Sequence, residues 1–288
     1  MQTIRQLPAL RAAIAALKQD GGRVAFVPTM GALHEGHLTL VREARRQADH
    51  VVASIFVNPT QFGPNEDLDA YPRREAEDAA LLAGEGAALL WAPDAATMYP
   101  QGHATKISVS GLDSVLCGAA RPGHFDGVAT VVAKLFNQVN PDLALFGEKD
   151  WQQLAIIRRM ATDCDFALEI AGVPTVREAD GLAMSSRNAY LSPDQRRAAA
   201  ALPRALNAAS LAIAAGADVP DTLGRAKQML LSSGFGSIDY FDLRDGSTLA
   251  DSAICHPGAR LFVAARIGTT RLIDNVAVGQ EIPGAGQG

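Results

Sequence analysis

The sequence predicts an α/β fold: a Rossmann-like, doubly wound parallel sheet followed by a smaller C-terminal α+β lid domain. Three observations carry this. Short buried apolar runs alternate with helical patterns through the first part of the chain. The segments richest in Gly and polar side chains each follow a predicted strand. After about residue 175 the alternation gives way to long helices and then a group of strands. The expected division is 1–175 for the sheet domain and 176–288 for the lid.

In chain order, the start, MQTIRQLPALRAAIAALKQDGG, has apolar positions broken by Arg5, Arg11 and Lys18, so it reads as an amphipathic helix and not as a secretory signal. Val24 to Val27, stopped by Pro28, is a buried strand. Leu38, Val41 and Ala44 recur at helical spacing opposite charged residues, and VVASIFVNP is a second buried strand. Strand, helix, strand within so short a span is a βαβ unit, which requires a parallel sheet. EAEDAALLAGEG, GVATVVAKLFNQV and DWQQLAIIRRMATD continue the pattern as helices; AALLWAP, DLALFG and FALEIAGV continue it as strands. SPDQRRAAAALPRALNAASLAIAAG opens with Ser192 as cap, Pro193 in the first position and Gln195 closing a capping box, and is read as one helix. A further helix, Asp221 to Ser233, ends at Gly234. IDYFDLRD, RLFVAARI and TRLIDNVAV are strands, the last two joined by a GTT turn. The tail GQEIPGAGQG is expected to be flexible. Trp91 and Trp151 are read as packing residues.

The bulk properties exclude several classes. With 288 residues, 48% apolar and 20% charged, the chain can bury one large core or two. A net charge of -5 argues against a nucleic-acid partner. No apolar run is long enough to span a membrane. Cys117, Cys164 and Cys255 lie far apart without C-x-x-C spacing, which fits a reducing compartment and a cytoplasmic protein.

Four polar loops would emerge together at the carboxyl edge of a parallel sheet, where open α/β folds bind ligands. PTMGALHEGH sets His34 and His37 three apart at a strand-to-helix turn. With a helix beginning near Gly36, free N–H groups and the helix dipole favour an anion, and both imidazoles can lean toward it. A zinc-protease reading fails, because H-E-x-x-H needs histidines four apart. A pair of surface histidines beside a glycine turn is the plainer alternative. GEKD offers Lys149 to phosphate and Asp150 to a hydroxyl or metal, against the alternative of a solvated helix start. MSSRN offers two hydroxyls and a guanidinium that can fork onto phosphate, against a polar turn. Asn58 and Gln61 are neutral multi-bond groups suited to a small polar substrate, although Asn-Pro also favours turns. Arg121 could clamp a carboxylate, and His124 stands near it beside a Pro-Gly turn. There is no Walker loop, no G-x-G-x-x-G after a strand and no G-x-S-x-G elbow. A nucleotide held by histidines, backbone amides and a Ser-Ser-Arg loop suits attack at the α-phosphate, with pyrophosphate leaving.

His34-Glu35-Gly36-His37 is similar to the His-x-Gly-His signature of nucleotidylyl transferases and class I aminoacyl-tRNA synthetases, and AMSSRN resembles a degenerate Lys-Met-Ser-Lys-Ser loop. PTMGALHEGH, FVNPTQFGPNEDLDAYPR, RPGHFDGVATVVAKLFNQVNPDLALFGEKDWQQL and MSSRNAYLS together resemble, in order, the motifs of the pantothenate synthetase (pantoate–β-alanine ligase) family. The resemblance is strong over roughly residues 20 to 195. It implies a ligase in which pantoate attacks the α-phosphate of Mg2+-bound ATP, and β-alanine then displaces AMP from pantoyl adenylate to give pantothenate. It implies that Met30, Gly31, Ala32, Leu33, His34, Glu35, Gly36 and His37 contact ATP, together with Gly147, Glu148, Lys149, Asp150, Val176, Met184, Ser185, Ser186 and Arg187. His34, His37, Lys149 and Arg187 would act on the phosphates. Gln61 and Gln153 would hold pantoate, with Asn58, Tyr71, Arg121 and His124 in the same pocket. The first domain would then bind ATP and pantoate, and the second would close as a lid. No metal ligand from the protein is implied, and a homodimer is. Ala183 and Arg187 depart from the two lysines of the synthetase loop, which weakens a synthetase reading. Two rivals remain at this stage: a transferase moving AMP or CMP to a phosphorylated acceptor, and a non-catalytic nucleotide sensor.

Overall fold

The chain begins with a strand, β1 (Gln2–Ile4), where the sequence predicts only helix. Three residues are too few to show a period, and this strand exists by pairing with a neighbour. The predicted helix follows as α1 (Leu7–Lys18), burying Leu10 and Ile14. Then come β2 (Val24–Thr29), α2 (Glu35–Gln47), β3 (His50–Ile55), α3 (Glu75–Gly84) and β4 (Leu89–Trp91). Two short helices that the sequence did not announce, α4 (Ala95–Met98) and α5 (Leu116–Ala120), precede α6 (His124–Val139). β5 (Leu143–Gly147), α7 (Trp151–Asp163) and β6 (Glu169–Val173) follow. This computed structural model describes residues 1–64 and 68–286. Asn65, Glu66 and Asp67 of the loop after β3, and the last two residues of the tail, lie outside the described residues.

The chain divides into two compact units. One comprises Met1–Ser114, Arg121–Glu148 and Gln153–Pro174; the other comprises Val115–Ala120, Lys149–Gln152 and Thr175–Gly288. The first unit holds a six-stranded sheet, all parallel, in the order β1-β4-β3-β2-β5-β6. The chain builds outward from β2 through β3 to β4, then restarts beside β2 with β5 and continues to β6. The reversal between β2 and β5 is a topological switch point, where neighbouring loops part and leave a crevice. The core on one face joins Val27 of β2, Leu40, Val41 and Ala44 of α2, Val51 of β3, Leu90 of β4 and Leu145 of β5. Asp142 secures the start of β2. One carboxylate oxygen accepts from Lys18 Nζ at 2.8 Å and the other from the Val24 N–H at 2.8 Å.

In the second unit, α8 (Pro193–Ala199), α9 (Ala201–Ala214) and α10 (Val219–Ser232) precede an antiparallel sheet of β7 (Ser237–Asp245), β8 (Ala259–Ile267) and β9 (Thr270–Ala277). Its core joins Leu202, Leu206 and Ile213 to Leu230, Phe241, Leu261 and Val263. The predicted capping box of Ser192 and Gln195 is present. The predicted single helix is instead two. Pro203 has no N–H for the carbonyl of Ala199, so a new helix starts at Ala201 and places the proline in its first turn, where no intrahelical donor is needed. The third helix is capped by Asp218, three residues before its predicted start, through a hydrogen bond from the Asp221 N–H at 2.9 Å.

The tail also departs from expectation. Ile282 and Ala285 are buried, the Ile282 N–H donates to Asn207 Oδ1 at 2.7 Å, and Ser210 Oγ donates to the Gln280 carbonyl. Two apolar residues and paired backbone groups suffice to hold a segment that composition alone marks as loose.

Candidate active site

Three of the four polar loops begin at the carboxyl ends of β2, β3 and β5, the strands on either side of the switch point; the fourth follows β6. The turn after β2 carries the histidines. Helix α2 starts at Glu35, one residue earlier than the sequence suggests, and His34 is its N-cap. The expectation of free N–H groups at this helix start is corrected by the structure. The Gly36 N–H donates to His34 Nδ1 at 3.2 Å, and the His34 N–H donates to His37 Nδ1 at 3.3 Å. The His37 N–H donates to the His34 carbonyl at 2.8 Å. The two imidazoles thus form a reciprocal capping box, their centroids 4.1 Å apart. A ring whose Nδ1 accepts carries its proton on Nε2 when neutral. Both histidines are therefore set to donate from Nε2, with their Nδ1 atoms tied to the positive end of the helix.

The turn itself is left-handed at Gly31 (φ 82°) and at Ala32 (φ 51°). A side chain at Gly31 would put its Cβ 3.0 Å from Asp78 Oδ2 and 3.2 Å from Ile55 Cγ2, so this position needs glycine for space as well as for φ. The Ala32 N–H donates to Asp78 Oδ2 at 2.9 Å and the Leu33 N–H to Asp78 Oδ1 at 2.8 Å. These two backbone donors are occupied by a carboxylate from α3. Asp78 is nearly fully buried, at 3% exposure. Sequence reading missed it, because one aspartate in the first turn of an EAEDAALL helix looks like ordinary dipole complementation.

After β3, Asn58 caps a 3-10 turn, Pro59–Gln61. Its Oδ1 accepts from Tyr99 Oη at 2.7 Å and Thr60 Oγ1 at 2.9 Å; its Nδ2 donates to Gln61 Oε1 at 3.0 Å and the Gly127 carbonyl at 3.1 Å. With 1% exposure and a full set of partners, Asn58 braces the turn and holds Gln61. Gln61 Nε2 lies 3.0 Å from Met30 Sδ, which joins this loop to the one after β2. The Gln61 carbonyl receives His124 Nδ1 at 2.7 Å and Arg121 Nη2 at 3.3 Å, and Arg121 Nη1 donates to His124 Nε2 at 2.9 Å. Arg121 and His124 thus converge on Gln61 through its backbone. Tyr71 is buried edge-on to Phe62, ring centroids 5.9 Å apart. Gly147 ends β5 and Glu148 opens the next 3-10 turn. Gln153 lies half-buried in α7.

In the second unit, Lys149 Nζ is 3.8 Å from Asp150 Oδ2, and the Lys149 carbonyl accepts from Asn275 Nδ2 at 2.9 Å. Trp151 donates to the Gly246 carbonyl at 2.6 Å and lies under the Arg260 guanidinium, which confirms it as a packing residue. Val176 and Met184 are opposite arms of one hairpin, the Met184 N–H donating to the Val176 carbonyl at 3.0 Å. Arg177 anchors this hairpin: it pairs with Asp274 at 2.6 Å and donates to the Gly181 carbonyl at 3.0 Å. Ser185 accepts from the Arg187 N–H at 3.3 Å and so caps the turn Ser186–Tyr190, with Ser186 and Arg187 half-buried. Among the described residues, no group of three or more His, Cys, Asp or Glu is placed to hold a metal ion.

A family model described as pantoate-beta-alanine ligase matches residues 2–277. The chain belongs to the pantoate-beta-alanine ligase family. It is 66% identical to the pantothenate synthetase of Sphingopyxis alaskensis over 279 residues, covering 97% of this chain and all of the relative. The crystal structure of pantothenate synthetase from Thermus thermophilus superposes with a TM-score of 0.92 at 49% identity, covering 96% of this chain and 99% of that one. Pantoate-beta-alanine ligase from Francisella tularensis, solved in complex with beta-gamma ATP and beta-alanine, gives a TM-score of 0.82 at 32% identity, covering 97% and 98%. The parallel sheet and small antiparallel sheet are therefore the architecture of pantoate-beta-alanine ligases, and the synthetase, transferase and sensor alternatives fall away.

Proposed function

We propose that the chain condenses pantoate with β-alanine to form pantothenate, consuming ATP and releasing AMP and pyrophosphate. The carrying observation is the reciprocal capping of His34 and His37, which directs two Nε2–H donors from one helix terminus. In the first step a carboxylate oxygen of pantoate attacks the α-phosphorus, and the bond to the β-bridging oxygen breaks. Pantoyl adenylate forms and pyrophosphate departs. The nucleophile is already an anion, so this step needs no general base. It needs donors where negative charge grows, and His34 and His37 supply them without reorganising. In the second step the amine of β-alanine attacks the acyl carbon, AMP leaves, and the amine gives up a proton as the amide forms.

The Gln61 side chain, fixed by Asn58, is the proposed polar anchor for pantoate, with Gln153 as its partner. Lys149, Asp150, Val176 and the run Met184 to Arg187 are proposed nucleotide ligands on the second unit. Mg2+ travels with ATP as part of the substrate. No helix among the described residues is long and apolar enough to cross a membrane. The homodimer belongs to the same proposal: sedimentation at twice the 30.3 kDa chain mass supports it, and sedimentation at the chain mass rejects it.

The test mixes purified protein with ATP, Mg2+, pantoate and β-alanine and follows products by chromatography. AMP, pyrophosphate and pantothenate should appear together, and none should form without pantoate. ADP, or no turnover, overturns the proposal. His37→Ala should lower kcat by about 10²- to 10³-fold, the range for loss of one transition-state donor, and leave the pantoate KM within twofold.

A further inference from the structure

A buried carboxylate beside a turn meant to receive phosphate is a puzzle, because its charge would repel the ligand. Asp78 has no part in the substrate contacts proposed above, and its two oxygens are both committed. Oδ2 takes the Ala32 N–H at 2.9 Å and Oδ1 takes the Leu33 N–H at 2.8 Å. Its charge is further compensated by its place in the first turn of α3, where the helix presents its positive end. The backbone it grips is not one that would hold itself. Ala32 has φ 51°, a conformation that L side chains rarely adopt, directly after Gly31 at φ 82°. Leu33 then leads straight into His34, the cap of α2.

We propose that Asp78 is a positioning residue. Its carboxylate locks the Gly31–Leu33 turn in its left-handed form and thereby sets where the His34 and His37 rings stand toward the nucleotide phosphates. The inference rests on the proposed role of the two histidines. It also assigns a second effect to Asp78: by occupying the Ala32 and Leu33 N–H groups it denies these two donors to phosphate and leaves the anion to the imidazole end of the turn. An amide at position 78 keeps one acceptor but turns an N–H donor toward a backbone N–H. The turn then loses one charge-assisted hydrogen bond and gains a donor–donor conflict.

Asp78→Asn should raise the KM for ATP about tenfold and lower kcat/KM for ATP by about 10- to 100-fold. The KM values for pantoate and β-alanine should stay within twofold. A merely structural defect would reduce the active fraction and lower kcat while leaving every KM alone. In a His34→Ala background the same substitution should add less than twofold, because residues that act through one another are not additive. An ATP KM within twofold of the wild type, or a full additional loss in the His34→Ala background, overturns the inference. If the wild type itself forms no AMP from ATP and pantoate, the functional reading fails instead, so the two failures are told apart. Hydrogen exchange on the wild-type protein without nucleotide needs no variant to fold. The Ala32 and Leu33 amides should exchange at least about 100-fold more slowly than unprotected loop amides; exchange at the unprotected rate overturns the inference.

Discussion

Gly127→Ala adds one methyl group inside α6 and should damage a loop far from it in sequence. The new Cβ would lie 2.3 Å from the Thr60 carbonyl oxygen, 2.6 Å from its carbon and 2.8 Å from the Gln61 nitrogen. All three are backbone atoms of the turn that carries Gln61, so no side chain can swing away. Moving the Thr60 oxygen from 2.3 Å to an ordinary contact at 3.4 Å displaces the turn by about 1.1 Å. That displacement also opens the hydrogen bond from Asn58 Nδ2 to the Gly127 carbonyl, now 3.1 Å. Overpacking a core site costs about 1–3 kcal/mol, and a buried donor left without a partner costs a further 1–3 kcal/mol or so. Alanine recovers about 1 kcal/mol of helix propensity over glycine. The balance is a loss of about 3 kcal/mol, which for a unit of this size lowers Tm by roughly 6–12 °C. Shifting the Gln61 anchor by about an ångström should raise the pantoate KM tenfold or more, with the ATP KM little changed. Calorimetry and steady-state kinetics at varied pantoate measure both effects. A Tm within 1 °C of the wild type, together with an unchanged pantoate KM, would refute the close-packing argument.

Two further outcomes are expected. Asp274→Ala leaves Arg177 buried at 10% side-chain exposure without its counter-charge and should cost about 3–5 kcal/mol in urea denaturation, with the double change Arg177→Met, Asp274→Leu recovering most of it; a loss under 1 kcal/mol for the single change contradicts this. Hydrogen bonds from Arg196 hold the Asp180 carboxyl below the usual carboxylate range against the opposing effect of burial. Because the folded value is depressed, the stability it contributes is present above the ordinary aspartate pKa of about 3.9 and lost as pH falls through the folded value. The pair is more than a third exposed on the Asp180 side, so screening limits the contribution to under about 1 kcal/mol at neutral pH. The gap between melts of wild type and Asp180→Asn should begin to close below about pH 4 and vanish once pH passes below the depressed folded value, and a constant gap across pH would count against the linkage.

The sequence by itself determined the fold class, and did so through pattern. Val24 to Val27 and Val51 to Ala53 are apolar without alternation because both faces of those strands are covered, and that signature needs no partner to be read. It also located the chemically loaded turns, since His34, Glu35, Gly36 and His37 are contiguous. Capping is local too, and the Ser192–Gln195 box was legible for that reason. What the sequence could not contain was pairing across distance. β1 exists only beside β4, Gln280 and Ile282 of the tail are held by Ser210 and Asn207, and the break before Ala201 reflects Pro203. The same holds within the candidate site. Asn58 is of the residue type that suits a small polar substrate, yet hydrogen bonds to Tyr99, Thr60, Gln61 and Gly127 make it a brace for Gln61. The backbone amides of Ala32 and Leu33 lie in a turn that the sequence marks for ATP, and the carboxylate that takes them, Asp78, lies 46 and 45 residues further along the chain. Residue type and spacing state which groups a turn offers. Only the tertiary structure decides which of those groups the protein has already used, because a hydrogen-bond donor spent on one acceptor is lost to another.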